Sequence, residues 1–200
     1  MKSKGNSTLL VLGLGNPGRE YAETRHNAGF WFLDRVADKA GLSFRRSLRL
    51  HAGIAKGMVM GHDCILVRPR TFMNESGRAV RAAIQYYKVP MSQVLVAYDE
   101  LDLPAGVARL KQGGGHGGHN GMRDIFRHTA DQGFIRLRIG IGHPGHRNAV
   151  TSYVLGRPGS EDEGLIRGAI DDALDVLPQV LEGNLPAAMK QLHTDKNNGI

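Results

Sequence analysis

The sequence predicts an α/β fold: a single-domain, three-layer α/β/α sandwich around a mixed, largely parallel twisted sheet. Short apolar runs typical of buried strands alternate along the chain with longer stretches in which apolar residues recur at helical spacing. The 200 residues, 41% of them hydrophobic, suffice for one substantial core. No internal repeat or long linker interrupts them, so residues 1–200 are predicted to form one domain.

Strand and helix signals alternate through the first ninety residues. The apolar run STLLVLGLG, residues 7–15, predicts a buried strand that ends in glycines. Apolar residues then recur every four positions over residues 27–40, which predicts a helix with Gly41 as its C-terminal cap. CILVRP, residues 64–69, predicts a second strand that ends at a proline. Residues 75–88 carry the next helical pattern.

The same alternation continues to the C-terminus. QVLVAYDE, residues 93–100, predicts a third buried strand that ends in two carboxylates, and a helix is predicted over residues 120–129. In FIRLRIGIG, residues 134–142, apolar residues alternate with Arg136 and Arg138, which predicts a strand with one apolar face. Helices over 149–155, 162–182 and 185–193 follow, and residues 193–200 are predicted to be a frayed tail.

The distribution of charge favours an anionic partner. Residues 1–156 carry 22 lysines and arginines against 11 acidic residues, whereas residues 157–200 carry 4 against 8. A basic field of this kind raises the association rate of a polyanion such as a nucleic acid. Basic charge is also common in proteins that bind no nucleic acid, so the charge alone does not decide the partner.

The remaining composition predicts a cytoplasmic protein with no membrane partner. No apolar run approaches the roughly 20 residues that span a bilayer, and the basic N-terminus is not followed by a small-residue cleavage site. The single cysteine, Cys64, has no partner for an internal disulfide, which fits a reducing compartment.

Polar strings follow the ends of the predicted strands. Sites in open α/β sheets form at the carboxyl ends of strands, so these strings are expected to meet at one edge of the sheet. Each has a simpler explanation by itself: Asn16 would support a turn and Asn74 would cap a helix. Their convergence predicts a reaction centre. The strings are GNPG (15–18) with His26 and Asn27, TFMNESG (71–77), YDELDLP (98–104) and GGGHGGHNG (113–121).

The available side chains favour general-base activation of water. No G-x-S-x-G elbow or P-loop lysine is present, and GLGNPG lacks the third glycine of a dinucleotide fingerprint. His26 would be the base, because imidazole titrates closest to neutral pH and a helix N-terminus favours its neutral form. Asp99 would orient the ring and stabilise the imidazolium. Uncharged amides would bind a carbonyl, an oxyanion and a water, from Asn16, Asn74 and Asn120.

Two alternatives remain open on these residues. His26 as a structural histidine at a helix cap is the common case for a lone histidine. Two H-x-x-H pairs would in principle hold zinc, although they lie among glycines instead of on a helix face. The pairs are His116 with His119 and His143 with His146. The basic charge would also serve an RNA-binding module without catalytic activity.

Taken together in this order, the strings resemble bacterial-type peptidyl-tRNA hydrolase. The resemblance rests on GLGNPGREYAETRHNAGF, TFMNESG, DELDLPAG and KQGGGHGGHNG, and continues through RLRIGIGHPG and YVLG. It covers roughly residues 8–156. The arginine-rich segment 44–51 and the C-terminal tail are where the chain differs from the family.

The resemblance implies a monomeric, metal-independent and cofactor-free enzyme. Its reaction would be hydrolysis of the ester between a peptide and the acceptor end of tRNA, which recycles tRNA. His26 would accept the proton, Asp99 would hold it in its basic form, and Asn16 would distinguish a blocked from a free amino group. The resemblance also implies residues that bind the substrate. The tRNA end or the peptide would contact Tyr21, Phe72, Asn74 and Asn120. A phosphate would be clamped by Lys111 and Arg138, and weaker candidates for the same surface are Arg136 and Arg147.

Overall fold

A seven-stranded mixed sheet forms the centre of the computed structural model, which describes residues 8–194. Four neighbouring strands are parallel, and the three strands nearest the two edges are antiparallel to their neighbours. The order across the sheet is β2-β3-β4-β1-β5-β7-β6. The strands are β1 (Leu9–Gly13), β2 (Arg45–Ser47), β3 (Ala52–Val59), β4 (His62–Pro69), β5 (Val94–Glu100), β6 (Ala108–Gln112) and β7 (Ile135–Gly140).

Helices cover both faces of the sheet, which confirms the predicted three-layer sandwich. α1, α5 and α6 pack on one face, and α2 and α3 pack on the other. Within residues 8–194, none of the helices combines the length and the apolar character that crossing a bilayer requires. The helices are α1 (Ala28–Ala40), α2 (Ser76–Tyr87), α3 (Asn120–His128), α4 (Val150–Val154), α5 (Ser160–Leu181) and α6 (Leu185–His193).

The predicted strands are the four parallel ones; the two edge strands, β2 and β6, and the neighbouring strand β3 were missed. β3 reads AGIAKGMV and β6 reads ARLKQ, so neither contains the continuous apolar run of a buried strand. At the C-terminus, α6 extends to His193, whose Nε2 accepts a hydrogen bond of 2.9 Å from the backbone N–H of Leu110. Residues 195–200 of the predicted tail lie outside the described residues.

Alternating strand residues supply two separate cores. Leu95 and Ala97 of β5 face α1 and α5, whereas Val94, Val96 and Tyr98 face α2 and α3. Asp99 therefore follows the face that carries α1. This alternation decides which helix can deliver a side chain to the carboxylate at the end of β5.

A close backbone contact fixes where α1 begins. A Cβ on Gly29, in the first turn of α1, would lie 2.4 Å from the carbonyl oxygen of Ala97 and 2.5 Å from the backbone nitrogen of Leu14. A Cβ on Gly13 would lie 2.1 Å from the carbonyl oxygen of Gly29. Since His26 precedes Gly29 by three residues, this contact holds His26 against the end of β5.

We expect Gly29→Ala to destabilise the protein and to slow its reaction together. The added methyl group forces α1 away from the sheet, at a cost of about 1–3 kcal/mol in the free energy of unfolding. Urea denaturation and a hydrolysis assay would measure both effects. Gly168→Ala in α5 is the matched control, because its Cβ meets nothing within 4 Å. A Gly29→Ala variant with wild-type stability and activity would contradict this packing.

Candidate active site

The predicted polar strings come together in one cleft at the carboxyl ends of β1, β4 and β5. The cleft has a volume of about 320 Å³. Three loops and the start of α3 form its polar side, and α4 forms its apolar side with Val150, Val154 and Leu155. Lys111 and Arg138 are not part of its lining. The predicted residues that line it are Asn16, Tyr21, His26, Phe72, Asn74, Asp99 and Asn120.

His26 and Asp99 form a buried pair at the centre of this cleft. His26 lies in a 3-10 turn, Arg25–Asn27, that leads into α1, and Asp99 is the sixth residue of β5. The Nδ1 atom of His26 is 2.9 Å from each carboxylate oxygen of Asp99. The exposed fractions of the two residues are 7% and 2%. An ionised carboxylate needs hydrogen bonds at such burial, so His26 Nδ1 carries the proton and donates it.

His119 is a second partner of Asp99 that the sequence analysis missed as a site residue. Its Nε2 is 2.9 Å from Oδ1 of Asp99, and its ring centre is 5.1 Å from that of His26. Its Nδ1 accepts a hydrogen bond of 3.2 Å from the backbone N–H of Met122, because His119 is the N-cap residue of α3. An imidazole that accepts at Nδ1 carries its proton on Nε2, so His119 also donates to Asp99.

The hydrogen bonds to Asp99 fix which ring nitrogen of His26 carries its proton. With its proton held on Nδ1, the Nε2 lone pair of His26 is the atom available to accept a proton. A helix cap is the simpler explanation of a histidine here, but no side-chain cap bond forms at this turn or at the start of α1. The geometry therefore favours a general base over a capping residue.

Opposing effects act on the pKa values of this pair. Burial alone lowers the pKa of His26, but the charge and hydrogen bond of Asp99 outweigh burial and raise the pKa above its ordinary 6.5. Burial alone raises the pKa of Asp99, yet the imidazoles of His26 and His119 hold it well below its usual range. The sequence predicts two opposing influences on His26: the helix N-terminus, which favours the neutral ring, and Asp99, which favours the imidazolium. Asp99 is the influence that raises the pKa of His26 in the folded protein.

Asn16 and Asn27 hold each other and the loop after β1. The side chain of Asn27 accepts from the backbone N–H of Asn16 at 2.8 Å and donates to its carbonyl oxygen at 3.0 Å. Asn27 thus supports the loop. The Oδ1 of Asn16 accepts from the backbone N–H of Met73 at 2.8 Å. Since this bond holds Oδ1 toward the backbone of Met73, the Nδ2 hydrogens are the groups that Asn16 has left for a ligand in the cleft.

The other two predicted asparagines lie on either side of the cleft and are exposed. Asn74 lies in a 3-10 turn, Met73–Glu75, before α2, and neither this turn nor α2 has a side-chain cap bond. Asn120 is the first residue of α3, and its Oδ1 accepts from Arg123 at 3.3 Å. Capping therefore does not explain Asn74, which leaves its amide for a ligand.

Tyr21 and Phe72 form the aromatic part of the cleft wall. Their rings meet edge to face with centroids 6.3 Å apart. Phe72 is 53% exposed, which is high for a large apolar side chain. This pair offers an apolar surface for stacking against a base or a peptide side chain.

The predicted phosphate clamp lies on the last two strands. Lys111 of β6 is paired in register with Arg136 of β7, so Lys111 and Arg138 are diagonal neighbours on one face. Lys111 is exposed, whereas the Nε of Arg138 donates to Oε2 of Glu100 at 2.9 Å. Arg147 is exposed at the start of the turn before α4.

Arg136 lies in the interior, so the prediction that it belongs to a phosphate-binding surface is wrong. Its exposed fraction is 1%, and its guanidinium lies about 5 Å from the ring centres of Phe126 and Phe134. It donates to the carbonyl oxygens of Gly115, at 2.6 Å, and of Gly114. Arg136 therefore fastens the glycine-rich loop that leads to His119 and cannot contact a phosphate.

The imidazoles of the proposed zinc site do not form one cluster. His116 accepts from the N–H of Gly118, and His143 accepts from that of Gly145. Within the described part of the chain, one group has metal-ligand spacing. It consists of His26, Asp99 and His119, with one ligand atom from each within 4.8 Å of the others. Two imidazoles and a carboxylate form a chemically suitable donor set for a transition metal.

Comparison with known proteins identifies relatives over nearly the whole chain. The family model for peptidyl-tRNA hydrolase matches residues 10–199. A peptidyl-tRNA hydrolase from Stenotrophomonas maltophilia is 52% identical over 94% of this chain and 97% of its own length. A peptidyl-tRNA hydrolase from Acidithiobacillus ferrooxidans is 53% identical over 93% of this chain and 98% of its own length.

Solved structures agree with the sequence relatives. A crystal structure of peptidyl-tRNA hydrolase in complex with N-propanol superposes with a TM-score of 0.92 at 47% identity and covers 95% of this chain and 96% of its own. A crystal structure of peptidyl-tRNA hydrolase from Acinetobacter baumannii gives a TM-score of 0.90 at 48% identity and covers 94% of this chain and 95% of its own.

Proposed function

Because the chain belongs to the peptidyl-tRNA hydrolase family, we propose that its cleft cleaves the ester of N-blocked aminoacyl-tRNA with His26 as general base, without a metal or a covalent intermediate. The observation that carries this mechanism is the Nδ1 of His26 at 2.9 Å from both oxygens of Asp99, inside a cleft lined by three asparagines. The family identifies the reaction as hydrolysis of peptidyl-tRNA.

The reaction begins when Nε2 of His26 takes a proton from water as the water oxygen attacks the ester carbonyl carbon. Asp99 stabilises the imidazolium that forms. The carbonyl becomes a tetrahedral oxyanion, for which the amide hydrogens of Asn74 or Asn120 are suitable donors. The carbon–oxygen bond to the ribose then breaks, and His26 returns its proton to the ribose oxygen. The products are a peptide carboxylic acid and tRNA with a free hydroxyl group.

One chain supplies every part of this machinery. His26, Asp99 and His119 all belong to one copy, and so do the cleft walls. We therefore infer a monomer that acts as a single domain. We further propose that it works in the cytoplasm, in keeping with its single cysteine, Cys64, and that it takes the acceptor end of peptidyl-tRNA. Tyr21 and Phe72 contact the tRNA end or the peptide, and Lys111 with Arg138 binds a phosphate.

Asn16 selects substrates whose amino group is blocked. Its Oδ1 already accepts from Met73, so it presents N–H donors to the substrate. A peptide carbonyl oxygen can accept from these donors. A free α-ammonium group has only donors, and burying it there without a partner is unfavourable. The preference for peptidyl-tRNA over aminoacyl-tRNA follows from this mismatch.

A hydrolysis assay that compares N-acetyl-aminoacyl-tRNA with free aminoacyl-tRNA tests the function. We expect wild-type kcat/KM to be at least about 100-fold higher for the N-blocked ester, given how strongly unpaired buried polar groups are rejected. Asn16→Asp keeps the acceptor for Met73 and replaces the donor by a carboxylate, so the ratio should fall by about tenfold or more. An unchanged ratio in Asn16→Asp would contradict the role of Asn16, and no wild-type cleavage would contradict the function.

The donor set of His26, Asp99 and His119 supports one alternative, a zinc-dependent hydrolase. Exhaustive chelation separates the two mechanisms. We expect full activity after chelation followed by gel filtration. Loss of activity that added zinc restores would favour the metal.

A further inference from the structure

The sheet edge formed by β2, β3 and β4 is strongly basic, and the proposed reaction makes no use of it. Residues 43–70 contain six lysines and arginines and one acidic residue, Asp63. This segment includes the arginine-rich stretch of residues 44–51. The basic residues are Arg45, Arg46, Arg49, Lys56, Arg68 and Arg70.

Part of this charge lines a groove beside the catalytic cleft. The groove has a volume of about 580 Å³, and Arg19, Arg46, Arg68 and Arg70 contribute to its walls. Asn16 lines both this groove and the catalytic cleft, so the two are adjacent. The strand register explains this position. Ser47 pairs with Ala52, and Ala52 pairs with Pro69, so the end of β2 lies level with the carboxyl end of β4, with β3 between them.

A second groove continues the basic surface away from the cleft. Its volume is about 610 Å³, and it combines cationic residues with Tyr86 and Tyr87 of α2. Arg46 lines both grooves, which joins them. The guanidinium of Arg49 lies 4.8 Å from the ring centre of Tyr86, which is 48% exposed. Guanidinium groups interleaved with exposed tyrosines are typical of surfaces that bind nucleic acids.

Most of these arginines have no charge partner within residues 8–194. Arg68 forms an ion pair with Asp34 at 3.1 Å and lies over the ring of Phe30. Arg19, Arg46 and Arg70 are exposed, and none of them forms an ion pair with another described residue. Like charges held close together without carboxylates repel one another, so a multivalent anion would stabilise them.

We propose that Arg19, Arg46, Arg49 and Arg70, here called the arginine surface, bind phosphates of the substrate's RNA. This inference rests on the proposed function. Every substrate brings the same RNA backbone, whereas peptide sequences vary, so a permanently basic surface suits the RNA. β2 and β6 are the opposite edges of the sheet, roughly 29 Å apart at about 4.8 Å per strand. The arginine surface and Lys111 therefore contact RNA on opposite sides of the cleft.

The test compares two double variants that lose the same charge. Arg46→Gln with Arg70→Gln removes half of the arginine surface. Lys39→Gln with Lys190→Gln is the control, since both lysines are exposed and lie in the last turns of α1 and α6. Each variant is assayed with N-acetyl-aminoacyl-tRNA and with the same ester on a short CCA oligonucleotide. The Kd for uncharged tRNA is measured in parallel against salt.

We expect the arginine variant to raise KM for the full-length substrate and Kd for uncharged tRNA by about tenfold at low salt, with kcat unchanged. The slope of log Kd against log salt should fall by about 1–2, since each lost phosphate contact accounts for about 0.7–0.9. The short ester and the control variant should behave as wild type.

Three results would overturn the proposal. If the control variant weakens tRNA binding as much as the arginine variant does, the net charge of the protein accounts for the effect and the position of the arginines does not. If KM and Kd of the arginine variant equal those of the wild type, the arginine surface does not bind the RNA. An equal rise in KM on the short ester would assign the surface to the acyl group or the CCA end and not to the rest of the RNA. Failure of wild-type cleavage would refute the proposed function, while the Kd for uncharged tRNA would still test the arginine surface.

Discussion

Replacing His26 by alanine is expected to lower kcat/KM for N-acetyl-aminoacyl-tRNA by about 10³-fold, within the range measured for a general base. The variant loses the only atom that we assign to proton removal, while the asparagines and the cleft walls remain. Because the hydrogen bonds of the imidazole go to Asp99, the fold and the affinity for uncharged tRNA should change little when the ring is removed. Single-turnover hydrolysis and a tRNA-binding titration would measure the two quantities separately.

His143→Ala is the matched control for this experiment. His143 is an exposed histidine whose Nδ1 accepts from the N–H of Gly145, so its loss also removes one imidazole with a local contact. We expect its kcat/KM to stay within about twofold of wild type. His26→Ala with more than a tenth of wild-type activity, in a protein of unchanged stability, would remove His26 from the mechanism.

Asp99→Asn is expected to be as damaging as loss of the base, with a fall of about 10³–10⁴-fold in kcat/KM. Asp99 accepts hydrogen bonds from both His26 and His119. An amide has one acceptor oxygen and one donor group, so one imidazole would meet a donor and change its tautomer. If His26 moves its proton to Nε2, that atom, which faces the cleft in the proposed mechanism, no longer has a lone pair to accept a proton from water.

The pH dependence of Asp99→Asn provides a second measurement on the same variant. The Asp99 carboxylate raises the pKa of His26, and His26 works only when it is neutral. Wild-type kcat/KM should therefore fall with decreasing pH around a midpoint above 6.5, and the residual activity of Asp99→Asn should fall around a lower midpoint. Asp102→Asn, at an exposed position three residues away, should leave both rate and midpoint unchanged. A midpoint in Asp99→Asn equal to that of wild type would contradict the coupling.

The central strands and the residues of the cleft were predictable because both signals are local. The runs at 7–15 and 93–100 are apolar throughout, as parallel strands buried on both faces require. Polar strings at their ends must then meet at one edge of the sheet. β3 has one partly exposed side and contains Gly53, Gly57 and Lys56, so the sequence shows neither a continuous apolar run nor a clean alternation.

The role of His119 depends on a tertiary distance that no local pattern contains. Its spacing from His116 suggested a metal pair, whereas folding places its Nε2 2.9 Å from Asp99. One signal was available: His119 directly precedes the helix that begins at Asn120, in the position of an N-cap. Combined with its neighbour Asn120, this position could have marked it as a residue of the site.

The burial of Arg136 could not be predicted from the alternation of residues along its strand. Strand alternation correctly placed it on the face opposite Leu137, but alternation does not say what covers a face. Here α3 and the glycine-rich loop cover it, and two glycine carbonyls with two aromatic rings take the place of solvent. Burial of a strand's polar face can be known only when the packing of the next element is known.

An NMR titration of ¹⁵N-labelled His26, set beside the pH profile of kcat/KM, tests the proposed role of this imidazole most directly. If neutral His26 removes the proton from water, the pKa of its ring and the midpoint of the acid limb coincide above 6.5, and both move down together in Asp99→Asn. If His26 changes its protonation over a pH range in which kcat/KM is constant, His26 is not the base.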